Sequence, residues 1–417
     1  VLIFLFLRRV LIFRGRAEKQ PLSNIMIGIS KLYMGQVEVS DPLRYGRKSG
    51  KLPSHLLQFS EDKKPVVVWN VTSACNLKCT HCYAATEGTP DELSTEEALA
   101  IIDDLAAFGV PVLLFSGGEP FVRPDILTLA KYAMSQGLRV VFSTNGTLIN
   151  AELAAEIKSI GASYAGISID GMQEVHDRFR VCKGAFQQSL NGIRLCREAG
   201  VKVGLRVTMT KENVGEIPAI FDLIESERIP RICLYHLVYS GRGADIAALD
   251  LDHTLRRSTL DLIIDRAQQL HERGLPVEVL TVDNHCDGPY LYMRMLAESN
   301  PRAEEVMRLL EMNGGNSTGH GIACISWDGT VYPDQFWRNQ PVGSVREKPF
   351  SEIWGNPPEG SLLAMLREKK QHVTGKCVSC RFLNVCGGNF RARAEAATGE
   401  LWGVDPACYL TDEEIGR

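Results

Sequence analysis

The stretch VWNVTSACNLKCTHCYA, residues 68–84, places Cys75, Cys79 and Cys82 on one short loop behind the apolar run Val66 to Trp69. The run reads as a buried strand that delivers the loop. Three thiolates spaced Cys-x3-Cys-x2-Cys can hold three irons of a cubane cluster. The fourth iron is then left without a protein ligand, as a catalytic metal site keeps one position open. Such an iron can chelate an amine and a carboxylate and pass an electron into the molecule that carries them. A structural zinc ion, bound with the help of His81, is the competing reading. Zinc sites usually show paired CxxC knuckles, and this triplet has no such partner close by.

Three further segments each end an apolar run. VPVLLFSGGEP (110–120) carries Gly117, Gly118 and Glu119; VVFSTNGT (140–147) carries Ser143, Thr144 and Asn145; YAGISIDG (164–171) carries Ser168 and Asp170. Strand signals recur at 66–71, 112–116, 139–143, 164–169, 201–208 and 231–238. Helical patterns fall between them at 95–108, opened by Ser94 with Glu97 three residues on, and at 124–136 and 184–199. Repeated β–α units of this kind turn their strand ends toward one mouth, where parallel α/β folds put their chemistry. The fold class expected is therefore α/β, an open partial (β/α)6 barrel followed by a small cluster-binding domain. After residue 238 the rhythm breaks into a helical stretch at 253–273, the strand-like VEVLTV, and the polar, aromatic loop TVDNHCDGPYLY.

In spacing and context the triplet resembles the radical S-adenosylmethionine (SAM) superfamily. That resemblance matches Gly117 to Glu119 with the family's GGE motif. Adjacent glycines let the backbone approach the methionyl ammonium, and Glu119 offers it a carboxylate. Asn145, Ser168 and Asp170 offer hydrogen bonds to ribose and carboxylate groups. Arg180 in HDRFR and Arg206 in GLRVTMT are candidates for the methionyl carboxylate; a surface or substrate-facing charge is the alternative for each.

The last hundred residues hold a second metal signal. ISWDGTVYP reads as a hairpin through Asp328-Gly329. Cys377, Cys380 and Cys386 follow, with Cys408 in DPACYL. Four thiolates can close all four irons of a second, auxiliary [4Fe-4S] cluster suited to electron transfer, with a four-cysteine zinc site as the rival. The region resembles the SPASM-type auxiliary domain. It departs from the fuller pattern, having Asp334 where that pattern has cysteine and no cysteine four residues after Cys386, so one auxiliary cluster is expected. Cys324 is read as a core residue or a substitute for Cys408; Cys182, Cys196 and Cys233 as inert; Cys286 is left open.

The chain has 417 residues, a formal net charge of -4, 45% hydrophobic residues and twelve cysteines, seven of them in the two clusters. That supports one large domain plus a smaller module, a reducing cytoplasm, and no nucleic-acid partner, since no long basic run occurs. Within residues 1–25, Arg8 and Arg9 interrupt an apolar stretch too short to span a bilayer. No stable membrane insertion is expected, and Met26 is read as the natural start after a non-native extension. The division expected is an arm at 26–60, the barrel at 61–285, a helical linker and substrate loop at 286–320, and the cluster domain at 321–417.

From Met26 onward the chain resembles the radical SAM enzymes of siroheme-dependent haem biosynthesis, related to the haem d1 maturation enzymes. MIGISKLY, LRYGRKSGKLPSHLLQFS, YHLVYSGRG, TVDNHCDGPYLY, GTVYPDQFW and DPACYLTDEEIG carry the likeness. It implies removal of two acetate side chains from the iron tetrapyrrole didecarboxysiroheme, giving iron-coproporphyrin III. The implied agents are SAM, a SAM-cleaving [4Fe-4S] cluster, a 5'-deoxyadenosyl radical and an electron donor such as ferredoxin or flavodoxin. A polycarboxylate substrate needs cations and its iron accepts imidazole, which makes Arg242, His236 and His285 candidates, either histidine as an axial ligand. The alternatives are a haem d1 pathway enzyme on the same tetrapyrrole, a SPASM-type peptide maturase, and an iron-sulfur electron carrier without enzymatic activity.

Overall fold

The computed structural model describes residues 26–36, 64–85 and 91–417. Residues 1–25 and residues 37–60 of the expected arm lie outside the described residues. Parallel strands β2 (Val66–Asn70), β3 (Val112–Ser116), β4 (Arg139–Thr144), β5 (Tyr164–Ser168), β6 (Val203–Met209) and β7 (Arg231–His236) lie side by side in chain order. Helices connect them across the outer face. The helix Thr95–Phe108 begins with the capping box expected from Ser94 and Glu97, and it buries Ala98, Ile101, Ile102 and Leu105, one face at helical spacing.

Alternation along each strand divides the side chains between two compartments. On β6, Val203, Leu205, Val207 and Met209 join the large core beneath the helices, while Gly204, Arg206 and Thr208 face the barrel interior. On β7, Ile232 and Leu234 join that core, and Arg231, Cys233 and Tyr235 face inward.

One expectation needs correction. The β–α rhythm does not stop at six strands: β8 (Glu278–Val282) pairs parallel to β7, and β1 (Met26–Gly28) closes the far edge of β8 antiparallel. The C-terminal region joins the same sheet. The hairpin of β9 (Ile322–Ile325) and β10 (Thr330–Tyr332) turns at Asp328-Gly329 as expected, but β9 lies parallel to β2, so one sheet of eleven strands runs β1-β8-β7-β6-β5-β4-β3-β2-β9-β10-β11, ending in β11 (Gly343–Ser344). An unpaired barrel edge exposes backbone donors and acceptors, and here both edges are covered by distant chain. Residues 286–320 are largely helical, as expected, with helices Asp287–Ala297 and Ala303–Asn313. No helix among the described residues is long and apolar enough to cross a membrane.

Candidate active site

The cysteine triplet lies on the loop after β2, at the carboxyl ends of the strands. Backbone contacts hold it on several sides. Gly118 and Glu119 donate their N–H groups to the carbonyls of Thr72 and Ala74 at 2.8 and 2.9 Å. A Cβ on Gly118 would stand 2.0 Å from Ala74 O, and one on Gly117, whose φ is +133°, 2.5 Å from Thr72 O. The paired glycines thus let the cysteine loop itself lie against β3. Thr80 N–H donates to Phe179 O at 2.9 Å, and Arg242 grips the loop twice, its backbone N–H to Cys82 O at 3.0 Å and its Nε to Cys79 O at 2.8 Å. Arg242, expected to meet substrate, is a clamp on the cluster loop.

Glu119 is fully buried, and both of its carboxylate oxygens are engaged. Oε1 accepts from Thr144 Oγ1 at 2.7 Å and Oε2 from the Asn145 N–H at 2.8 Å. Burial raises its pKa to about 7 against the pull of those donors. It therefore ties β3 to β4. Asn145 donates through Nδ2 to Asn76 Oδ1 at 2.8 Å, and Asn76 donates to Thr147 Oγ1 at 2.8 Å, fixing the loop to the end of β4. Glu92, missed in the sequence, accepts from Ser73 N and Oγ, each at 2.7 Å, and from Thr72 Oγ1 at 3.0 Å.

Asp170 is fully buried and pairs with Arg180 at 2.5 Å; its Oδ1 accepts the Thr208 N–H at 3.1 Å. Burial opposes its charge, but Arg180, then His81 and His176, hold its carboxyl below the usual range. The ribose contact expected of Asp170 is thus replaced by an ion pair that aims Arg180, whose Nη1 donates to Cys79 Sγ at 3.4 Å. Cys75 Sγ likewise accepts the Leu77 N–H at 3.4 Å. Donors directed at sulfur suit thiolates that share charge with a cluster. His81 stands 3.8 Å from Asp170 Oδ2, packs on Phe179, and is held neutral by burial, with a pKa of about 4.

Below the loop, the chamber inside the barrel is lined by apolar side chains, such as Val141 and Leu280, and by polar ones. Ser168 and Arg206 sit opposite each other in register, both half-buried. The Arg206 guanidinium lies 5.7 Å from the Tyr235 ring, and the absence of a side chain at Gly166 makes room for it, since a Cβ there would stand 2.4 Å from Nε. Among the described residues no carboxylate pairs with Arg206. Tyr83 bonds Asn70 and Ser116 at the chamber rim.

The two histidines lie elsewhere. His236 Nδ1 accepts from Arg256 at 3.0 Å, which leaves its Nε2–H to donate to Asp287 at 2.9 Å. With both ring nitrogens engaged and 4% exposed, it cannot serve as an axial ligand. His285 is 1% exposed, so its ring does not line open space, and its backbone N–H donates to Asn389 Oδ1 at 2.7 Å.

The four C-terminal cysteines converge as expected. Cys377, Cys380, Cys386 and Cys408 line one pocket with Lys376, Leu383, Gly388, Asn389, Asp405, Leu410 and Ile415. Lys376 donates to the carbonyls of Cys408 and Leu410 at 3.2 and 2.9 Å. Two buried cations, Lys369 and Arg391, lie within electrostatic reach of Cys386, and burial brings Lys369 down to a pKa of about 7. An anionic, thiolate-bound cluster suits that surrounding charge. Cys324 is excluded as the fourth ligand: it faces the barrel interior on β9, where its sulfur accepts from Asn70 Nδ2 at 3.6 Å.

Two family models match this architecture, the radical SAM superfamily over residues 69–224 and an iron-sulfur cluster-binding domain, SPASM, over 317–381. Fe-coproporphyrin III synthase of Methanosarcina barkeri is 60% identical over 396 residues, covering 94% of this chain and 99% of the relative. Pre-heme d1 synthase of Dinoroseobacter shibae is 43% identical, over 85% of this chain and 88% of its own. Among solved structures, Streptococcus suis SuiB bound to its precursor peptide SuiA superposes with a TM-score of 0.68 at 18% identity, over 84% of this chain and 76% of that one. Native anSMEcpe with AdoMet and a peptide gives 0.62 at 17%, over 83% and 94%. These likenesses are of fold. The radical SAM domain binds a [4Fe-4S] cluster and SAM, and the SPASM domain an auxiliary iron-sulfur cluster. The chain belongs to the radical SAM superfamily and, within it, to the SPASM-bearing family that includes Fe-coproporphyrin III synthase and pre-heme d1 synthase.

Proposed function

We propose that this enzyme removes two acetate side chains from didecarboxysiroheme and yields iron-coproporphyrin III. The observation that carries the reading is 60% identity to Fe-coproporphyrin III synthase along almost the whole of both chains. In this reading Cys75, Cys79 and Cys82 hold the SAM-cleaving cluster, and Cys377, Cys380, Cys386 and Cys408 the auxiliary one. SAM and its cluster, when bound, supply a 5'-deoxyadenosyl radical able to attack an unactivated C–H bond. The protein's part is orientation and exclusion of water. Arg180 and Arg242 fix the thiolate loop, and the Gly117-Gly118 pair sets its height over the strands. Arg206, whose Nε has no hydrogen-bond partner among the described residues, suits a carboxylate of the tetrapyrrole or of SAM, and Tyr235 and Ser168 flank it. Electrons come from a small donor of the ferredoxin or flavodoxin class in a reducing cytoplasm.

The test is an anaerobic assay of reconstituted protein with SAM, reductant and didecarboxysiroheme, read by mass analysis of the tetrapyrrole. Loss of two acetate arms with 5'-deoxyadenosine formed supports the reading. SAM cleavage with the tetrapyrrole unchanged keeps the superfamily and removes this substrate.

A further inference from the structure

The segment after β10 runs past the mouth of the barrel and is held at three points. The Phe336 ring meets Tyr83, the residue after Cys82, edge-on at 4.9 Å. The Phe336 carbonyl accepts from Ser240 Oγ, beyond the end of β7, at 2.6 Å. Asp334 supplies the third hold: Oδ2 accepts from Thr318 Oγ1 at 2.7 Å, and Oδ1 accepts the N–H groups of Phe336 and Trp337 at 2.8 and 3.0 Å. Arg338 follows on this fixed segment.

Tyr332 stands opposite Cys324 in the β9–β10 register, so its ring shares the face that Cys324 turns to the barrel interior. Arg338 lies over that ring, its guanidinium carbon 5.4 Å from the Tyr332 centroid and 4.2 Å from that of Trp327. Nη2 donates to a neutral acceptor, Ser326 Oγ, at 3.2 Å, while Nη1 is buried with no hydrogen-bond partner among the described residues. Stacking on aromatic rings aims a planar guanidinium without using its N–H groups. A buried charged donor left without an acceptor is costly, so the position calls for a partner that the chain does not supply. Arg206 repeats the pattern on β6, with Tyr235 beneath its guanidinium and Nε unpartnered. Strands β5, β4, β3, β2 and β9 stand between the two arginines, which therefore belong to different walls of the mouth.

We propose that Arg338 binds a carboxylate arm of the substrate on the β10 side of the mouth. The inference rests on the reading that the substrate is an iron tetrapyrrole, whose carboxylate arms radiate from one rigid plane. A guanidinium fork matches a carboxylate in two parallel hydrogen bonds, which fixes direction as well as position. With Arg206 on the other wall, Arg338 sets the rotation of the plane, and that rotation decides which arm lies nearest the triplet.

The probe is iron-coproporphyrin III, the product of the proposed reaction. Its control is the methyl ester, which keeps the ring and the iron and loses the charges. Binding to the reconstituted full chain is followed by titration of the porphyrin absorption band. R338Q should weaken binding of the acid about tenfold and leave the affinity for the ester, the affinity for SAM and the iron content of the protein unchanged. R338K, which keeps the charge without the fork, should fall between the two. Equal affinity of R338Q and the parent for the acid overturns the proposal. So does an equal loss for acid and ester, which would make Arg338 a prop for Trp327, or a loss of SAM binding with the porphyrin unaffected. A parent that binds neither porphyrin and leaves didecarboxysiroheme unchanged removes the substrate reading, and this anchor with it.

Discussion

The two cysteine sites solve the same problem in opposite ways. The triplet is held from behind by close backbone contacts and by side chains such as Arg242, Glu92 and Asn145, with one side left open and Cys75 exposed. The four-cysteine pocket is shaped by buried charged side chains, Arg391 and Arg393 both at 0% exposure with Asp405 at 1%. A site that must admit a small molecule to its metal cannot be walled in by side chains, so its loop is held from behind. A site whose four thiolates leave no iron to a small molecule can be enclosed by side chains, and here a buried ion pair, Arg393–Asp405, stands beside the ligands.

The sharpest way to break this comparison is to remove one ligand from each. C79A should abolish 5'-deoxyadenosine formation while leaving roughly half of the bound iron, whereas C377A should lower the thermal midpoint and the iron content yet leave the triplet able to cleave SAM. Chromatography of the nucleoside and iron assay separate the two. Next in size is the buried ion pair. R393A leaves Asp405 uncompensated and should cost about 3–5 kcal/mol of stability, read by chemical denaturation, with R393K recovering only part of it. On the other side, G118A forces a Cβ against Ala74 O; it should cost about 1–3 kcal/mol and impair cluster loading at the triplet alone, seen as loss of the SAM-dependent resonance with the auxiliary signal unchanged.

The smallest effect concerns acid. Burial, then Arg180, lowers His176 to a pKa of about 4, and burial, then Arg367 and Lys369, does the same to His320. The unfolded chain therefore binds more protons than the folded one between pH 6.5 and 4, and stability present above 6.5 is lost as pH falls through that window. Each histidine should contribute about 2 kcal/mol of loss by pH 5. H176Q, far from the auxiliary pocket, should flatten the pH dependence of unfolding without moving that cluster's spectrum.

What could be read beforehand was what repeats locally. Strands β2 to β7 and helix Thr95–Phe108 fall close to their expected bounds because period and capping are written in adjacent residues. The two sulfur sets were equally plain in their spacing. His236 was misassigned although a local signal existed: Arg231, Cys233 and Tyr235 face the chamber, so the next residue on β7 turns away from it. Glu119 and Asp170 were legible as site residues, but their partners, Thr144 and Arg180, depend on how separate strands meet. Glu92, Asn389 and the Arg393–Asp405 pair gave no signal because their roles exist only once distant segments are brought together.

That β2 finds its outer neighbour in β9 has a consequence for biogenesis. Asn70 and Cys324, bonded across this seam, stand 254 residues apart, and Ser30 meets Val279 across the opposite edge at a separation of 249. Neither border of the barrel can be finished until late in synthesis, and contacts of such long range form slowly. The nascent chain must therefore keep two strand borders from pairing elsewhere, and the strand that carries the triplet gains its outer neighbour only from a C-terminal segment that contributes none of its ligands.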